Sequence, residues 1–330
     1  MIRKALIPAA LAAIAATVAP TAAKAAKERV FPVADKPAMT DHFPVVPARF
    51  PDGVRGYRDI VYQQISGHVP QVVDIYVPAG KGPHPLVLYI HGGGWVGGHT
   101  RHSGALANFP AVLAALAAEG FVVASLEYRL SGDAKFPAQV QDAKASLRFL
   151  RDNAERYRID PSRVGIWGGS AGGHLTALTA LSCKETALDP AAAGDVCASA
   201  AVTWYGVFDF AAMAAGRANG VDGAAERLMG CPTRCSDEAY ATASPVTWID
   251  AGDPPFLLIH GTEDKVVPIE QSRIGEARLR AAGVPVETIY IAGVDHSFIG
   301  ATPEQTREAT LRATNATFDF FHQKLRVPRR

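Results

Sequence analysis

Five consecutive residues, Gly168-Gly169-Ser170-Ala171-Gly172, constrain this chain more than any other stretch. The short apolar run Val164-Gly165-Ile166-Trp167 precedes them, and Ala171 to Leu181 after the serine is helix-forming. A serine pinned between a strand and a helix takes up a strained backbone. Residues two before and two after it must be small, because strand and helix crowd each other there. Gly168 and Gly172 meet that demand, with Gly169 and Gly173 beside them. The helix N-terminus behind Ser170 favours negative charge developing in front of it. A bland glycine turn and a phosphate loop are the alternatives. A phosphate loop ends in Lys-Ser/Thr, whereas Gly173-His174-Leu175 follows here. The strand–turn–helix setting makes Ser170 the candidate nucleophile.

The rest of the chain supplies a frame for such a turn. At 330 residues, 48% hydrophobic and 20% charged, it can bury one sizeable core. Strands are expected at 59–62, 72–77, 86–90, 121–126, 164–167, 201–205, 256–259 and 286–290. Helices are expected at 105–118, 136–157, 171–181, 269–282 and 303–325. Leu86-Val87-Leu88-Tyr89-Ile90 is apolar without alternation, as in a strand buried on both faces. Opening antiparallel strands followed by repeated strand–helix units imply an α/β fold, a mostly parallel sheet with helices on both faces. The stretch 207–253 has no clear strand and holds a close cysteine pair. It has the size of a small cap over the carboxyl edge of the sheet, where ligands bind in such folds.

Residues 1–25 read as a secretory signal. Arg3 and Lys4 open it, an Ala/Leu/Ile run follows, and Ala23-Lys24-Ala25 has the small-x-small pattern of a cleavage site. An uncleaved anchor is the alternative, but the run of about fifteen apolar residues is short for a bilayer. Residues 26–55, with Pro32, Pro37, Pro44, Pro47 and Pro51, form an extended arm. The catalytic domain is expected at 56–330. The formal charge is +1, and loss of Arg3, Lys4 and Lys24 makes it slightly negative. That balance gives no electrostatic case for nucleic acid or an anionic membrane as partner. Export to a periplasmic or extracellular compartment suits the four cysteines. Cys183, Cys197, Cys231 and Cys235 allow three pairings, of which sequence proximity favours Cys183–Cys197 and Cys231–Cys235. A metal site is the competing reading, but no histidine lies near the close pair and the spacing is unlike a zinc knuckle.

A serine nucleophile needs a base, an orienting acid and donors for an oxyanion. His91-Gly92-Gly93-Gly94-Trp95 follows the strand ending at Ile90, and its glycines let backbone N–H groups converge. Gly93, Gly94 and Ala171 are the expected donors, with a flexible glycine turn as the alternative. Of ten histidines, His296 in Gly293-Val294-Asp295-His296-Ser297 alone follows the last strand on a loop. His322 lies deep in the last helix and His260 ends a strand one loop too early. His91 is placed to brace the glycine loop, and His174 lies one turn into the helix after the serine. His42, His68, His84, His99 and His102 come too early in the chain. The orienting acid is Asp264 in His260-Gly261-Thr262-Glu263-Asp264, with Glu263 as the alternative. Asp295 adjoins His296, and adjacent side chains point apart. No metal or organic cofactor is required.

Taken together, these motifs resemble the esterase branch of the α/β-hydrolases, which includes the hormone-sensitive-lipase-like and bacterial feruloyl-esterase-like (BD-FAE) families. The resemblance runs over roughly residues 55–325. It also rests on Tyr128-Arg129-Leu130-Ser131-Gly132, Phe136-Pro137-Ala138-Gln139 and Ala243-Ser244-Pro245. Hormone-sensitive-lipase relatives usually have Asp before the serine and Ala-Pro-Glu after Tyr-Arg-Leu. Here Gly169 and Ser131-Gly132-Asp133 stand in those places, so the feruloyl-esterase-like branch fits better. The resemblance implies a Ser170–Asp264–His296 triad. It also implies small-molecule or polysaccharide-linked esters with short acyl or hydroxycinnamoyl groups. Trp95, Trp204 and Tyr205 are candidates to line an acyl or aromatic pocket, each with a core role as the alternative. Arg129 and Asp142 form a plausible internal pair beneath the glycine loop. A prolyl-oligopeptidase-type peptidase shares the fold but normally carries a large N-terminal propeller. A non-catalytic binding protein of this fold usually lacks a triad residue.

Overall fold

The computed structural model describes residues 46–189, 194–216 and 223–328. The expected signal and most of the proline-rich arm lie outside the described residues. Among these, nine strands form one sheet: β1 (Ala48–Arg49), β2 (Arg55–Gln63), β3 (Gln71–Val77), β4 (His84–Ile90), β5 (Val122–Leu126), β6 (Ile159–Gly169), β7 (Ala200–Trp204), β8 (Phe256–Gly261) and β9 (Val286–Ile291). The order is β1-β2-β3-β5-β4-β6-β7-β8-β9. The pairs from β1 to β5 are antiparallel, and from β5 through β4 to β9 every pair is parallel. This is the mostly parallel sheet that the alternating pattern implies, in the α/β-hydrolase arrangement that the motif resemblance implies.

Period-two alternation sorts the strand residues between two cores. Leu86, Leu88 and Ile90 of β4 pack on one face with Val140 and Leu147 of α2 (Ala138–Asp152) and Leu175 of α4 (Ala171–Leu181). Val87 and Tyr89 pack on the other with Leu113 of α1 (Phe109–Ala118) and Phe321 of α9 (Pro303–Lys324). Because both faces are covered, β4 is apolar throughout rather than alternating. Leu88 is fully buried, and truncating it to Ala is expected to cost about 2–5 kcal/mol. All eleven residues of α4 are buried, so it has no polar face.

Several boundaries differ from the expected ones for local reasons. Helix α1 begins at Phe109, not 105, because the Asn108 side chain accepts the Ala111 N–H at 3.3 Å and Pro110 fits the first turn. The expected 136–157 helix starts after Pro137, whose ring disfavours helical backbone at Phe136. It breaks at Asn153, whose amide donates back to the Phe149 carbonyl at 2.8 Å, so that α3 (Ala154–Tyr157) is separate. Strand β6 begins at Ile159, since the polar segment before Val164 pairs with His84 and Pro85 through a register shift.

The described part of 207–253 forms α5 (Phe210–Ala215), α6 (Ala224–Met229) and α7 (Asp237–Ala243). Phe210 of α5 packs beside the glycine loop, 5.6 Å from Trp95, and the Leu228 carbonyl of α6 accepts the Phe136 N–H at 2.9 Å ahead of α2. The disulfides are Cys183–Cys197 and Cys231–Cys235, the pairings that proximity favours. Helix α8 (Glu270–Ala281) covers β8 and β9. No described helix is long and apolar enough to cross a membrane.

Candidate active site

The carboxyl ends of β4, β6, β7, β8 and β9 deliver the site residues to one edge of the sheet. Ser170 lies between β6 and α4 at φ 57° and ψ −122°, a conformation a non-glycine residue keeps only when its surroundings enforce it. Its N–H donates to the Trp204 carbonyl at 2.9 Å, and its carbonyl accepts the His174 N–H at 2.9 Å. The elbow is packed too tightly for any side chain at 172. A Cβ there would overlap the Ile90 and His91 carbonyls.

His296 follows β9 and faces both partners. Its Nε2 lies 3.0 Å from Ser170 Oγ and its Nδ1 2.8 Å from Asp264 Oδ2. A carboxylate only accepts, so Nδ1 carries the proton and Nε2 is left to accept from the serine hydroxyl. The Asp264 side chain is fully buried on the loop between β8 and α8. Its Oδ1 accepts the Val266 and Val267 N–H groups at 2.9 and 2.8 Å. Burial alone would raise the Asp264 carboxyl, but the His260 ring 3.3 Å away and hydrogen bonds from His296 and the Val267 N–H outweigh it. They hold the carboxyl well below the usual carboxylate range. His260 donates from Nε2 to the Val267 carbonyl at 2.9 Å, and its Nδ1 contacts Ser272 Oγ at 2.7 Å. Asp295 turns away from the imidazole. Its Oδ1 accepts the N–H groups of His296 and Lys265, which shapes the loop.

The glycine loop lies against the elbow. A Cβ on Gly92 would stand 2.8 Å from the Gly169 carbonyl, and Gly93 has φ +120°, open only to glycine. The Gly93 carbonyl accepts N–H groups from Val96 and Gly97, both at 3.1 Å, which closes the turn. Ala171 is the first residue of α4, so its N–H has no intrahelical acceptor. Gly92, Gly93 and Gly94 line a cavity of about 640 Å³ together with Ser170 and His296.

The other motifs build a support beneath this loop. His91 donates to the Gly92 carbonyl at 2.7 Å and stacks on Tyr128, whose hydroxyl donates to the His91 carbonyl at 3.1 Å. Arg129 pairs with buried Asp142 at 2.7 Å, and the Gln139 amide donates to the carbonyls of Arg129 and Ala134. His174 accepts the Trp95 indole N–H at 3.2 Å and donates to the Ala243 carbonyl at 2.8 Å. Burial pushes both His91 and His174 down to about 4, so both stay neutral.

Of the three aromatic residues expected at a pocket, Tyr205 lines the cavity. Trp95 and Trp204, 3% and 1% exposed, lie behind it in the core. Tyr89, His102, Ser103, Val266, Ser297 and Ile299 also line the cavity, and sequence reasoning passed over them. For Val266, Ser297 and Ile299 the signal was position, since they flank Asp264 and His296.

A BD-FAE family model matches residues 73–279. Esterase LipC of Mycobacterium tuberculosis is 34% identical over 220 residues, which cover 66% of this chain and 53% of that protein. The probable carboxylic ester hydrolase LipM of the same organism is 32% identical, covering 66% and 50%. The chain thus spans about half the length of these curated relatives. Among solved structures, a truncated carbohydrate esterase from gut microbiota matches with a TM-score of 0.69 and 28% identity, over 84% of this chain and 99% of that one. Propionate-bound esterase Est2 of Thermogutta terrifontis matches with a TM-score of 0.64 and 26% identity, over 80% and 92%. The family match spans well over half of the chain and lies on the sheet and elbow described above: this chain belongs to the BD-FAE family and has the α/β-hydrolase fold.

Proposed function

We propose that the chain is an exported serine carboxylesterase that cleaves short-chain acyl or hydroxycinnamoyl esters through an acyl-enzyme. The observation that carries this reading is the continuous row Asp264–His296–Ser170, hydrogen-bonded at 2.8 and 3.0 Å beside a glycine-lined cavity. His296 Nε2 takes the Ser170 proton as Oγ attacks the ester carbonyl carbon. The carbonyl oxygen becomes an oxyanion held by the N–H groups of Gly93, Gly94 and Ala171. His296 then protonates the leaving alcohol. Water, deprotonated by the same imidazole, attacks the acyl-enzyme, and the acid departs as Ser170 regains its proton. Asp264 fixes the tautomer and stabilises the imidazolium. No step calls on a cofactor.

The cavity has room for a short acyl or hydroxycinnamoyl group, and α5, α6 and α7 contribute none of its described lining that could close over a long chain. The expected signal and two disulfides support export. The test is a panel of p-nitrophenyl acetate, butyrate and octanoate with methyl ferulate, run beside Ser170→Ala. Acetate, butyrate or ferulate should turn over and octanoate should lag, with Ser170→Ala inert and unlabelled by a fluorophosphonate probe. Wild-type activity in that variant would overturn the assignment.

A further inference from the structure

Tyr205 has a conformation and surroundings that a pocket wall does not require. It is the first residue after β7, and its φ is +39°, an uncommon value for a bulky aromatic residue. Its N–H is tied to the Ile259 carbonyl at 2.8 Å, and it is 3% exposed. The ring lies 4.7 Å from the His296 imidazole and 4.8 Å edge-on to Phe298. Its hydroxyl lies close to the Ser297 side chain. Ser297 and Phe298, which continue the chain from His296, also have positive φ, 61° and 60°. Two glycines make room for the phenol. A Cβ on Gly169 would meet the ring and hydroxyl at 3.1–3.3 Å, and one on Gly104 would meet the hydroxyl at 3.3 Å. The phenol therefore spans from the sheet, past the elbow, to the loop that bears the histidine.

We infer that Tyr205 is the positioning residue for His296: a strut that sets the imidazole at hydrogen-bond distance from Ser170 Oγ. This rests on the esterase reading above. Asp295 and Ile299 close the loop by hydrogen bonds of its own, but these hold the backbone and not the ring; for the imidazole the tyrosine ring supplies the stop on one side and Asp264 the tether on the other. Strain such as the positive φ at 297 and 298 persists where surrounding structure over-determines it.

The experiment compares Tyr205→Leu, Tyr205→Phe and Gly169→Ala with p-nitrophenyl acetate, alongside His296→Ala. Loss of the ring misplaces the base, so Tyr205→Leu should lower kcat by roughly 10²-fold while KM changes by less than about threefold. Tyr205→Phe keeps the ring and should restore kcat to within about threefold of wild type. Gly169→Ala leaves Tyr205 in place but presses its ring, and should lower kcat by about tenfold. Combined with Tyr205→Leu it should add nothing, since the ring it acts on is gone. Retained kcat in Tyr205→Leu, failure of Tyr205→Phe to restore it, or additive effects of Gly169→Ala would each overturn the inference. Should Tyr205→Leu not fold, Tyr205→Met takes its place in both comparisons. Wild-type turnover by His296→Ala would instead sink the esterase reading itself.

Discussion

Replacing Asp264 by Asn tests the chemistry most directly, because the surroundings dictate how the amide must sit. Oδ1 accepts two backbone N–H groups, from Val266 and Val267, so the amide oxygen of Asn belongs there. The amide nitrogen then falls where Oδ2 was, 2.8 Å from His296 Nδ1. An NH₂ group only donates, so Nδ1 must give up its proton to accept, and the proton moves to Nε2. Nε2 then points an N–H at Ser170 Oγ and has no lone pair to take the serine proton. The same NH₂ also faces the His260 Nε2–H, which is already committed to the Val267 carbonyl, so two donors meet there. A wrong-tautomer base costs about 10⁴-fold in kcat, roughly 5.5 kcal/mol at 1.36 kcal/mol per tenfold. The loss of charge-assisted bonds removes about 1.5–3 kcal/mol of stability, partly offset because a buried carboxylate no longer needs desolvating. The variant should therefore melt within several degrees of wild type yet turn over p-nitrophenyl acetate about 10⁴-fold more slowly. A folded variant that loses less than about tenfold would refute the tautomer argument.

Three further outcomes follow from the packing. Gly172→Ala places a methyl group inside the Ile90 and His91 carbonyls, so it should lower stability by about 3 kcal/mol or more in urea denaturation; an unchanged midpoint would contradict the close approach. Because burial holds His91 and His174 near 4, the unfolded chain binds protons that the native chain refuses as pH falls below about 6.5. Stability should thus decline between about pH 6.5 and 4, read as urea midpoints, and the carboxyl of Asp264, held low in the fold, adds its own loss below about pH 4. The Cys183–Cys197 bridge closes a 14-residue separation, so a Cys183→Ala/Cys197→Ala double variant should lose about 3 kcal/mol, with a flat result pointing to residual structure in the unfolded chain.

The sequence was most legible where one physical demand dominates. Strand β4 had to be apolar throughout because both its faces are covered, and the elbow had to be glycine because carbonyl oxygens occupy the space beside it. The helices α5, α6 and α7, at six, six and seven residues, are too short to display a period, although Asp209 and Ser236 cap two of them in the usual way. The pocket aromatics were hardest to read. Trp204 and Tyr205 are adjacent, yet one faces the core and the other the cavity, because the chain leaves the strand between them and turns to positive φ at Tyr205. No described residue of 207–253 lines the cavity, a matter of long-range packing that composition does not encode.

The ladder between β4 and β6 sets Ile90 opposite Gly168. The glycine loop leaves from one of these residues and Ser170 follows just past the other, so the two are mounted on a single rung rather than on their loops. The separation of Ser170 from the glycine loop is thereby a property of the chassis. The side chains of His102, Val266 and Ile299 line the cavity farther out and take no part in that rung. On the esterase reading, which ester enters is then set by those side chains at the rim, and the attack geometry by the rung beneath them.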